Sequence, residues 1–365
     1  MSLQQADIIK YGFSILQVET MSLCNMQCDF CGYPLRRSKT SVLPEETVLK
    51  VIDSISVTDD FRHICLSQFN EPLLDKRIYK FIQYAKGRKM PVMIITNGLL
   101  FDSKEVIDRL IDAGPDYIKI SIQVLNPRLF SRVRKTGCDF NRYKRGIFEF
   151  LNAAQNGLSE ITLDIACNFV SGTGRLKRIL GLECGDPSVY DTVNDLRQDS
   201  INFLRELQDN LPSYKFNADY INDYLAKEGS NYIYEPGFSI GKNISLKIKP
   251  FIFGRRIERF YPVKKARPCI SRILGILANG NVVPCCMAYD GTFSLGNVQR
   301  DPLSIILERS LGLLRNIRVK GADLPPACQH CLGAPTRRGA VLKKLRHALE
   351  KAYIDAVDIN RGGVR

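Results

Sequence analysis

Short apolar runs alternate with amphipathic stretches over residues 13–170 of the chain. The β-rich runs predict strands at Ile15–Thr20, His63–Ser67, Pro91–Thr96, Tyr117–Ile122 and Glu160–Asn168. Between them, the period and the helix-start signals predict helices at Pro44–Ser56, Asp75–Gly87, Ser103–Ala113 and Arg142–Gln155. Strands and helices that alternate at this spacing predict an α/β fold with a parallel sheet and helical crossovers.

The second half of the chain is predicted to add further elements to this strand–helix repeat. A helix over Asn194–Gln208 and a strand over Tyr214–Asn217 bring the total to six units, which close only part of a (β/α)8 barrel. Residues 171–193 are glycine-rich and predict an insertion over the barrel mouth. Strand-like basic runs, Ile244–Ile252, fall in a predicted connection. The predicted domains are a partial (β/α)6 TIM-like barrel (1–230), a linker and lid (231–267), a small hairpin and helix domain (268–335) and a basic amphipathic tail (336–365).

Charge and cysteine usage narrow the class of protein. Of the 365 residues, 52 are Lys or Arg and 38 are Asp or Glu, which gives a net charge of +14. No helix-turn-helix or aromatic RNA platform is recognisable, so nucleic acid is not the expected partner. An acidic carrier or an anionic membrane surface stays open as a peripheral contact, above all for the tail helix over Arg337–Val357. With no signal peptide, the clustered cysteines predict a reducing, cytoplasmic location rather than disulfides.

Three thiols on one loop are the strongest chemical signal. Cys24, Cys28 and Cys31 follow the first predicted strand at spacings of four and three residues. Packed cysteines and a zinc site are alternative interpretations. Cubane iron–sulfur clusters are normally held by four thiolates, so three would leave one iron open.

A second group of thiols lies in the C-terminal third. Cys269 precedes an Asn279-Gly280 hairpin signal, and the hairpin would return Cys285 beside it. Cys328 and Cys331 form a Cys-x-x-Cys pair that completes four thiols. Tetrahedral zinc and a cubane are both compatible with such a set. His330 is an alternative ligand, and Cys286 is expected to be packed.

The pattern Cys-x3-Cys-x-Phe30-Cys near the start of a β/α chain resembles the radical S-adenosylmethionine (SAM) enzymes. The resemblance implies that the open iron binds the amino and carboxylate groups of SAM. An electron from the cluster would then release a 5′-deoxyadenosyl radical that takes hydrogen from a substrate. It also places Phe30 against the adenine and implies an electron donor of the flavodoxin or ferredoxin type.

Further loops at the ends of predicted strands are similar to SAM-binding motifs of that family. Ser67–Leu73 resembles its Gly-Gly-Glu-Pro loop, with Phe69 and Asn70 in place of both glycines. Asn70 is therefore predicted to have a left-handed backbone, and Phe69 to cover the ligand. The resemblance assigns SAM contacts to Asn70, Glu71, Pro72, Asn97, Ser121, Gln123 and Asn168. Arg132, Arg134 and Lys135 are predicted to form a solvated basic face, with neutralisation of an anionic group as the alternative.

The C-terminal thiols resemble the SPASM extension of radical SAM enzymes. Because no cysteine follows Cys331, the shorter "twitch" form is expected. It implies one auxiliary [4Fe–4S] cluster on Cys269, Cys285, Cys328 and Cys331. With four protein ligands, that cluster would move electrons rather than bind substrate.

The resemblance leaves the overall reaction open. Because Cys24 comes too early for an N-terminal peptide-recognition domain, the expected substrate is a small polar intermediate: a sugar, an aminocyclitol or a nucleotide-linked sugar. Dehydrogenation suits the auxiliary cluster, whereas epimerisation would need a thiol donor, for which Cys184 and Cys286 are candidates. The alternatives are a peptide maturase and a non-catalytic zinc or iron–sulfur protein.

Overall fold

A computed structural model gives the fold of the chain. It describes residues 13–56, 61–158, 160–167, 179–180, 190, 193–214, 219, 221–223, 238–250, 260–264, 269, 271–285, 287–291, 293–317, 324–345 and 348. Most of the predicted insertion over residues 171–193 lies outside these residues. So do Asn168, Cys184 and Cys286, three of the predicted site residues.

A mixed sheet with helical crossovers organises the described residues. The strands are β1 (Ile15–Val18), β2 (His63–Cys65), β3 (Val92–Thr96), β4 (Tyr117–Gln123), β5 (Glu160–Cys167), β6 (Phe238–Ser239), β7 (Ile244–Pro250), β8 (Ile273–Ile276), β9 (Asn281–Val283) and β10 (Gly296–Asn297). Their order in the sheet is β10-β9-β8-β1-β2-β3-β4-β5-β7-β6. Neighbours from β8 through β7 are parallel, and the sheet stays open. The predicted α/β partial barrel is confirmed.

Helices accompany this sheet, and the first five cover its outer face. They are α1 (Glu45–Ser56), α2 (Ile78–Gly87), α3 (Lys104–Ala113), α4 (Pro127–Arg134), α5 (Phe140–Ala153), α6 (Val193–Asn210), α7 (Leu303–Arg309), α8 (Leu311–Arg315) and α9 (Pro326–Cys331). The apolar side of each of the first five is buried against strand residues in one continuous core. The predicted crossover helices are confirmed to within a few residues at their ends. Helix α4 was not predicted.

The sixth parallel strand differs from the prediction. The predicted strand over Tyr214–Asn217 is wrong at its first residue, because Tyr214 lies in a turn after α6 and its hydroxyl donates to the Leu151 carbonyl at 2.8 Å; residues 215–217 lie outside the described part. Instead β7, which falls in the predicted linker, pairs in parallel with β5. Its alternation of buried and half-buried residues fits a strand with one face on the core.

The predicted hairpin joins the barrel instead of standing apart. Strands β8 and β9 are antiparallel around Gly280, whose φ of +83° is the left-handed conformation that glycine adopts readily. Strand β8 then pairs in parallel with β1, so the C-terminal thiols are tied to the edge of the first strand. Glu19, just after β1, accepts two hydrogen bonds from Arg36 at 2.5 and 2.8 Å and a third from the Ala278 backbone at 3.0 Å.

The end of the chain is only partly described. Residues 337–345 are helical, as the tail prediction requires, and Val341 and Leu345 of the predicted apolar face are exposed. In the described part of the chain, no helix has the length and hydropathy needed to cross a membrane.

Candidate active site

Loops that follow β1, β2, β3 and β4 meet at the carboxyl edge of the parallel sheet. In barrels of parallel strands this edge carries the chemistry, because the strands converge there while their loops are free to vary. The loop after β1 holds the three thiols, and the next three loops bear most of the predicted SAM contacts.

Backbone and side-chain hydrogen bonds fix the shape of the three-thiol loop. The Cys31 amide donates to the Cys28 carbonyl at 3.1 Å, which turns the loop between these two thiols. The Tyr33 hydroxyl accepts from the Cys24 amide at 3.1 Å, and the Tyr33 amide donates to Cys31 Sγ at 3.3 Å. These bonds bring the first and last thiols of the motif back toward one another.

The three thiols lie in low-dielectric surroundings. Burial, reinforced by the Glu71 carboxylate, raises the pKa of Cys24 to about 12. Burial also raises the pKa of Cys31 to about 11 and raises that of Cys28, where Arg134 opposes the effect. Thiols in such a site need a cation to become thiolates, so metal binding must release their protons.

The donor set of the first loop consists of thiols, the ligand type that iron–sulfur clusters use and that zinc also accepts. Among the described residues, no three Cys, His, Asp or Glu side chains are grouped closely enough to bind one metal ion.

Glu71 and Asn97 connect the loops after β2 and β3 to the thiol loop. The Glu71 carboxylate accepts from the Thr96 hydroxyl and the Asn97 amide, both at 2.7 Å, and from the Leu73 amide at 3.2 Å. Asn97 Nδ2 donates to Asn25 Oδ1 at 2.7 Å, beside Cys24. Glu71 is fully buried, and desolvation raises its pKa to about 7 even though these donors favour the carboxylate. The buried Glu71 side chain therefore holds the loop after β3 in position at the carboxyl edge of the sheet.

Phe69 and Asn70 stand in place of the two glycines in the loop after β2. Among the described non-glycine residues, positive φ occurs at Lys89, Gln123 and Lys135, so Asn70 is not left-handed and that prediction is wrong. Its Oδ1 instead accepts from the Gln68 amide at 3.0 Å, which closes the turn. The Phe69 ring packs on Leu277, Val283 and Ala288 around the C-terminal hairpin.

The other described residues predicted to contact SAM lie on the same rim. Gln123 Nε2 donates to Ser121 Oγ, and the two side chains meet across a bulge at which Gln123 has a φ of +69°. Pro72 is buried directly after Glu71. Phe30 is half-buried against the core beside the thiols.

Arg134 is a site residue that the sequence prediction placed wrongly. It was assigned to a solvated face, but it is 1% exposed at the end of α4. Its guanidinium lies 6.0 Å from the centre of the Phe30 ring, and its Nη2 donates to the Asn97 carbonyl at 3.5 Å. The Asn126-Pro127 pair was an available signal, because Asn126 Oδ1 caps the first turn of α4.

The second group of thiols gathers on the far side of the hairpin. Cys285 follows β9, and Cys328 and Cys331 lie one turn apart on α9. Burial raises the pKa of Cys331 to about 12, with further contributions from the nearby thiols of Cys285 and Cys269. Cys269 and Cys328 pack against a small separate core of Val263, Ile317, Leu324, Ala334 and Ala340. Segments distant in sequence therefore bring Cys269, Cys285 and Cys331 near enough for their charges to act on one another.

Predictions were also made for His330 and for Cys65. His330 lies on α9 rather than in a loop, and its Nδ1 is 2.6 Å from the Phe260 carbonyl oxygen, an arrangement that suits a structural histidine. Cys65 is fully buried and bonded to Ser67, as expected of a core residue.

Tyr289 connects the two thiol centres. It lies four residues after Cys285, and its ring covers Gly32, which directly follows Cys31; a Cβ at Gly32 would come within 2.4 Å of that ring. The same ring meets Phe69 edge-on, with 5.8 Å between centroids. The glycine is therefore needed for space, and the first thiol loop rests directly on the C-terminal module.

Two family models match the chain, and each covers one group of thiols. Residues 18–164 match the model of the radical SAM superfamily, and residues 269–332 match SPASM, described as an iron–sulfur cluster-binding domain. The two matched segments contain all seven thiols of the two centres.

Individual relatives have low sequence identity to this chain, but the similarity extends over about three quarters of its length. The chain is 24% identical over 291 residues to a probable GTP 3′,8-cyclase of Methanocaldococcus jannaschii, covering 77% of this chain and 88% of that protein. It is 26% identical over 284 residues to the corresponding protein of Methanococcus aeolicus, covering 75% and 86%. The fold is similar to that of anSMEcpe, solved with bound AdoMet, with a TM-score of 0.50, 15% identity and 89% of each chain covered.

Proposed function

We propose that this chain, which carries a radical SAM domain followed by an SPASM domain and is therefore a radical SAM enzyme, abstracts hydrogen from a small polar biosynthetic intermediate. The cofactors of such an enzyme are a [4Fe–4S] cluster, SAM and an auxiliary iron–sulfur cluster. When bound, the cluster and SAM together supply a 5′-deoxyadenosyl radical, which takes the hydrogen atom. The observation that carries the proposal is the three-thiol loop held at the rim by Glu71, Asn97 and Tyr33.

We assign one cluster to each group of thiols. Cys24, Cys28 and Cys31 would hold the cluster that binds SAM, and Cys269, Cys285, Cys328 and Cys331 would hold the auxiliary cluster. Ser121, Gln123 and Asn97 would contact SAM, and Phe30 would contact its adenine. Glu71 keeps the Asn97 loop in place. An electron donor of the flavodoxin or ferredoxin type and a cytoplasmic location belong to the same proposal.

Polar atoms at the barrel mouth support a polar substrate. In the described structure, Gln17 Oε1, both amide atoms of Gln68 and Asn70 Nδ2 are buried and have no hydrogen-bond partner. Buried polar atoms are costly unless paired, so a ligand with hydroxyl, amine or phosphate groups would satisfy them. Because Cys285 follows the hairpin that packs on this mouth, the auxiliary cluster would lie close enough to accept an electron, which favours dehydrogenation.

A purine nucleotide is the second candidate substrate, with ring formation as the outcome. The relatives named GTP 3′,8-cyclase favour it, because their similarity extends over three quarters of this chain. A nucleotide is also a small polar molecule, so the two candidates differ in the fate of the substrate radical rather than in the site. Epimerisation remains the third fate, with Cys184 or Cys286 as the hydrogen donor.

Anaerobic reconstitution tests the opening step. The reconstituted chain should hold about eight irons and eight sulfides, as two cubanes require, and should release 5′-deoxyadenosine from SAM in the presence of dithionite. One or two zinc ions without sulfide would instead support a structural metal protein and would refute the proposal.

Substrate-dependent SAM cleavage tests the class of substrate. Sugars, aminocyclitols, nucleotide-linked sugars, purine nucleotides and peptides should be compared for their ability to accelerate 5′-deoxyadenosine release. Acceleration by a sugar or aminocyclitol, with a product two mass units lighter, supports dehydrogenation. A cyclised product of unchanged mass from a purine nucleotide supports the second candidate, and acceleration only by peptides contradicts both. Deuterium entering the product from solvent would point to a thiol donor.

A further inference from the structure

Arg134 is a buried cation at the place where the proposed SAM-binding cluster would sit. Its side chain is 1% exposed, and its Nε has no hydrogen-bond partner in the described structure. The one hydrogen bond found for the guanidinium within the same residues, to the Asn97 carbonyl, is long at 3.5 Å. A buried guanidinium without a close anionic partner is strongly unfavourable, which predicts that an anionic group belongs beside it.

Three contacts hold the end of α4 on the thiol loop. The Asp29 amide donates to the Val133 carbonyl at 3.0 Å, so the residues next to Cys28 and Arg134 are joined directly. Lys135 forms an ion pair with Asp29 and has a left-handed φ of +48°, which turns the chain out of the helix immediately after Arg134. The guanidinium then faces the Phe30 ring at 6.0 Å. These contacts hold Arg134 beside the thiol loop, where its charge acts on the thiol of Cys28.

The groups around Arg134 already have partners, so the cluster is the expected source of its counter-charge. Glu71 is a buried acid whose charge acts on Arg134, but its carboxylate already accepts hydrogen bonds from Thr96, Asn97 and Leu73. Tyr143 donates its hydroxyl to the same Asn97 carbonyl at 2.9 Å, so it offers no negative charge. A [4Fe–4S] cluster on three thiolates is anionic and becomes more so when it takes up an electron.

We propose that Arg134 is the buried counter-charge of the cluster held by Cys24, Cys28 and Cys31, and that it makes this cluster easier to reduce. The inference rests on the proposed function, since it needs a cluster at these thiols. Arg134 acts here as a positioning and charge-compensating residue. One electron from an external reductant such as dithionite enters the cluster, and the fixed cation stabilises the more negative product over the oxidised form.

The test is an EPR-monitored redox titration of reconstituted protein without SAM. The signal that changes when SAM is added afterwards identifies the relevant cluster. Arg134→Met and Arg134→Gln remove the charge, and the equilibrium constant for one-electron reduction should fall at least about tenfold, a midpoint about 59 mV more negative. Arg134→Lys keeps the charge and should stay within about threefold of the wild type. Arg132→Gln removes an exposed charge from the same helix and should change nothing.

Several outcomes would overturn the proposal and leave the proposed function intact. One is an unchanged midpoint together with weaker binding of radiolabelled SAM, which would make the SAM carboxylate the partner. Another is an Arg134→Lys midpoint displaced as far as that of Arg134→Met, since charge would then not be the cause. Absence of iron and sulfide from the wild type would refute the proposed function itself.

If an Arg134 variant does not bind a cluster, the stability of the cluster-free protein tests the proposal instead. An uncompensated buried cation destabilises that form, so cluster-free Arg134→Met should unfold at the same or higher urea concentration than cluster-free wild type. A lower midpoint for the variant would assign Arg134 a packing role only and overturn the proposal.

Discussion

The two thiol centres are assembled in opposite ways. The first takes three thiols from a stretch of eight residues and supports them with buried polar groups from β2, β3 and α4. The second takes four thiols from three segments between Cys269 and Cys331, and α9, the hairpin and a small apolar core bring them together.

The two centres differ in the number of their thiols and also in the kind of residues that surround them. If three thiols hold a cluster, as we propose, other groups must shape its open side, and Glu71, Asn97 and Arg134 lie beside the thiol loop. A site with four thiols is complete in itself and needs only a scaffold. The first centre therefore depends on electrostatics, whereas the second depends on the packing of the C-terminal module onto β1.

Removal of one thiol from each centre should separate their roles most strongly. Cys28→Ala and Cys331→Ala should each lose about four irons per chain. Cys28→Ala should abolish release of 5′-deoxyadenosine, while Cys331→Ala should still cleave SAM but no longer convert substrate. Cys138→Ala, at a half-buried thiol bonded to the Asp139 carbonyl, serves as the control and should keep all the iron. Equal loss of SAM cleavage in the first two variants would contradict the division.

The Glu19–Arg36 pair joins the first centre to the hairpin of the second. Glu19 is fully buried, so Arg36→Met leaves an unpaired carboxylate and should lower the free energy of unfolding of cluster-free protein by about 3–5 kcal/mol. Urea denaturation measures the loss. The double variant Glu19→Gln, Arg36→Met should recover much of it, because the remaining amide still accepts from Ala278. A double variant no more stable than Arg36→Met would show that the pair acts through packing alone.

Both groups of thiols and the hairpin could be predicted from the sequence, whereas the position of β7 and the burial of Arg134 could not. Cys24, Cys28 and Cys31 are local, and strand periodicity alone puts their loop at the end of β1. The role of β7 was missed because its basic Lys247 and Lys249 broke the apolar pattern of a buried strand. Arg134 was missed for a related reason, since a charged side chain is expected outside unless its partner is known.

The pKa of Glu71 gives a pH test of the support beneath the first centre. Burial raises this pKa from 4.5 to about 7, so the folded state binds a proton more tightly than the unfolded state does. The contribution is therefore fully present below about pH 4.5 and is lost as the pH rises toward 7, which lowers stability by about 3 kcal/mol. Urea denaturation of cluster-free protein between pH 5 and 8 should show this decline.

Two variants isolate the Glu71 contribution. Glu71→Gln should have a flatter pH profile than the wild type, whatever its absolute stability. Glu46→Gln removes an exposed carboxylate from α1 and should keep the wild-type slope. Parallel slopes in Glu71→Gln and the wild type would mean that Glu71 is ionised throughout.

The contact between Gly32 and Tyr289 should give the smallest effect and the sharpest test of how closely the centres are joined. Gly32 has a φ of −70°, which any residue adopts, so the glycine is required for space alone. Gly32→Ala should therefore cost about 1–3 kcal/mol, because the added Cβ displaces the Tyr289 ring. In a Tyr289→Ala background the same change should be nearly neutral. Gly312→Ala, with no atom within 4 Å of its Cβ, should keep or slightly raise stability. An equal cost of Gly32→Ala in both backgrounds would show that the two centres are held together elsewhere, by the β1–β8 pairing and the Glu19–Arg36 pair.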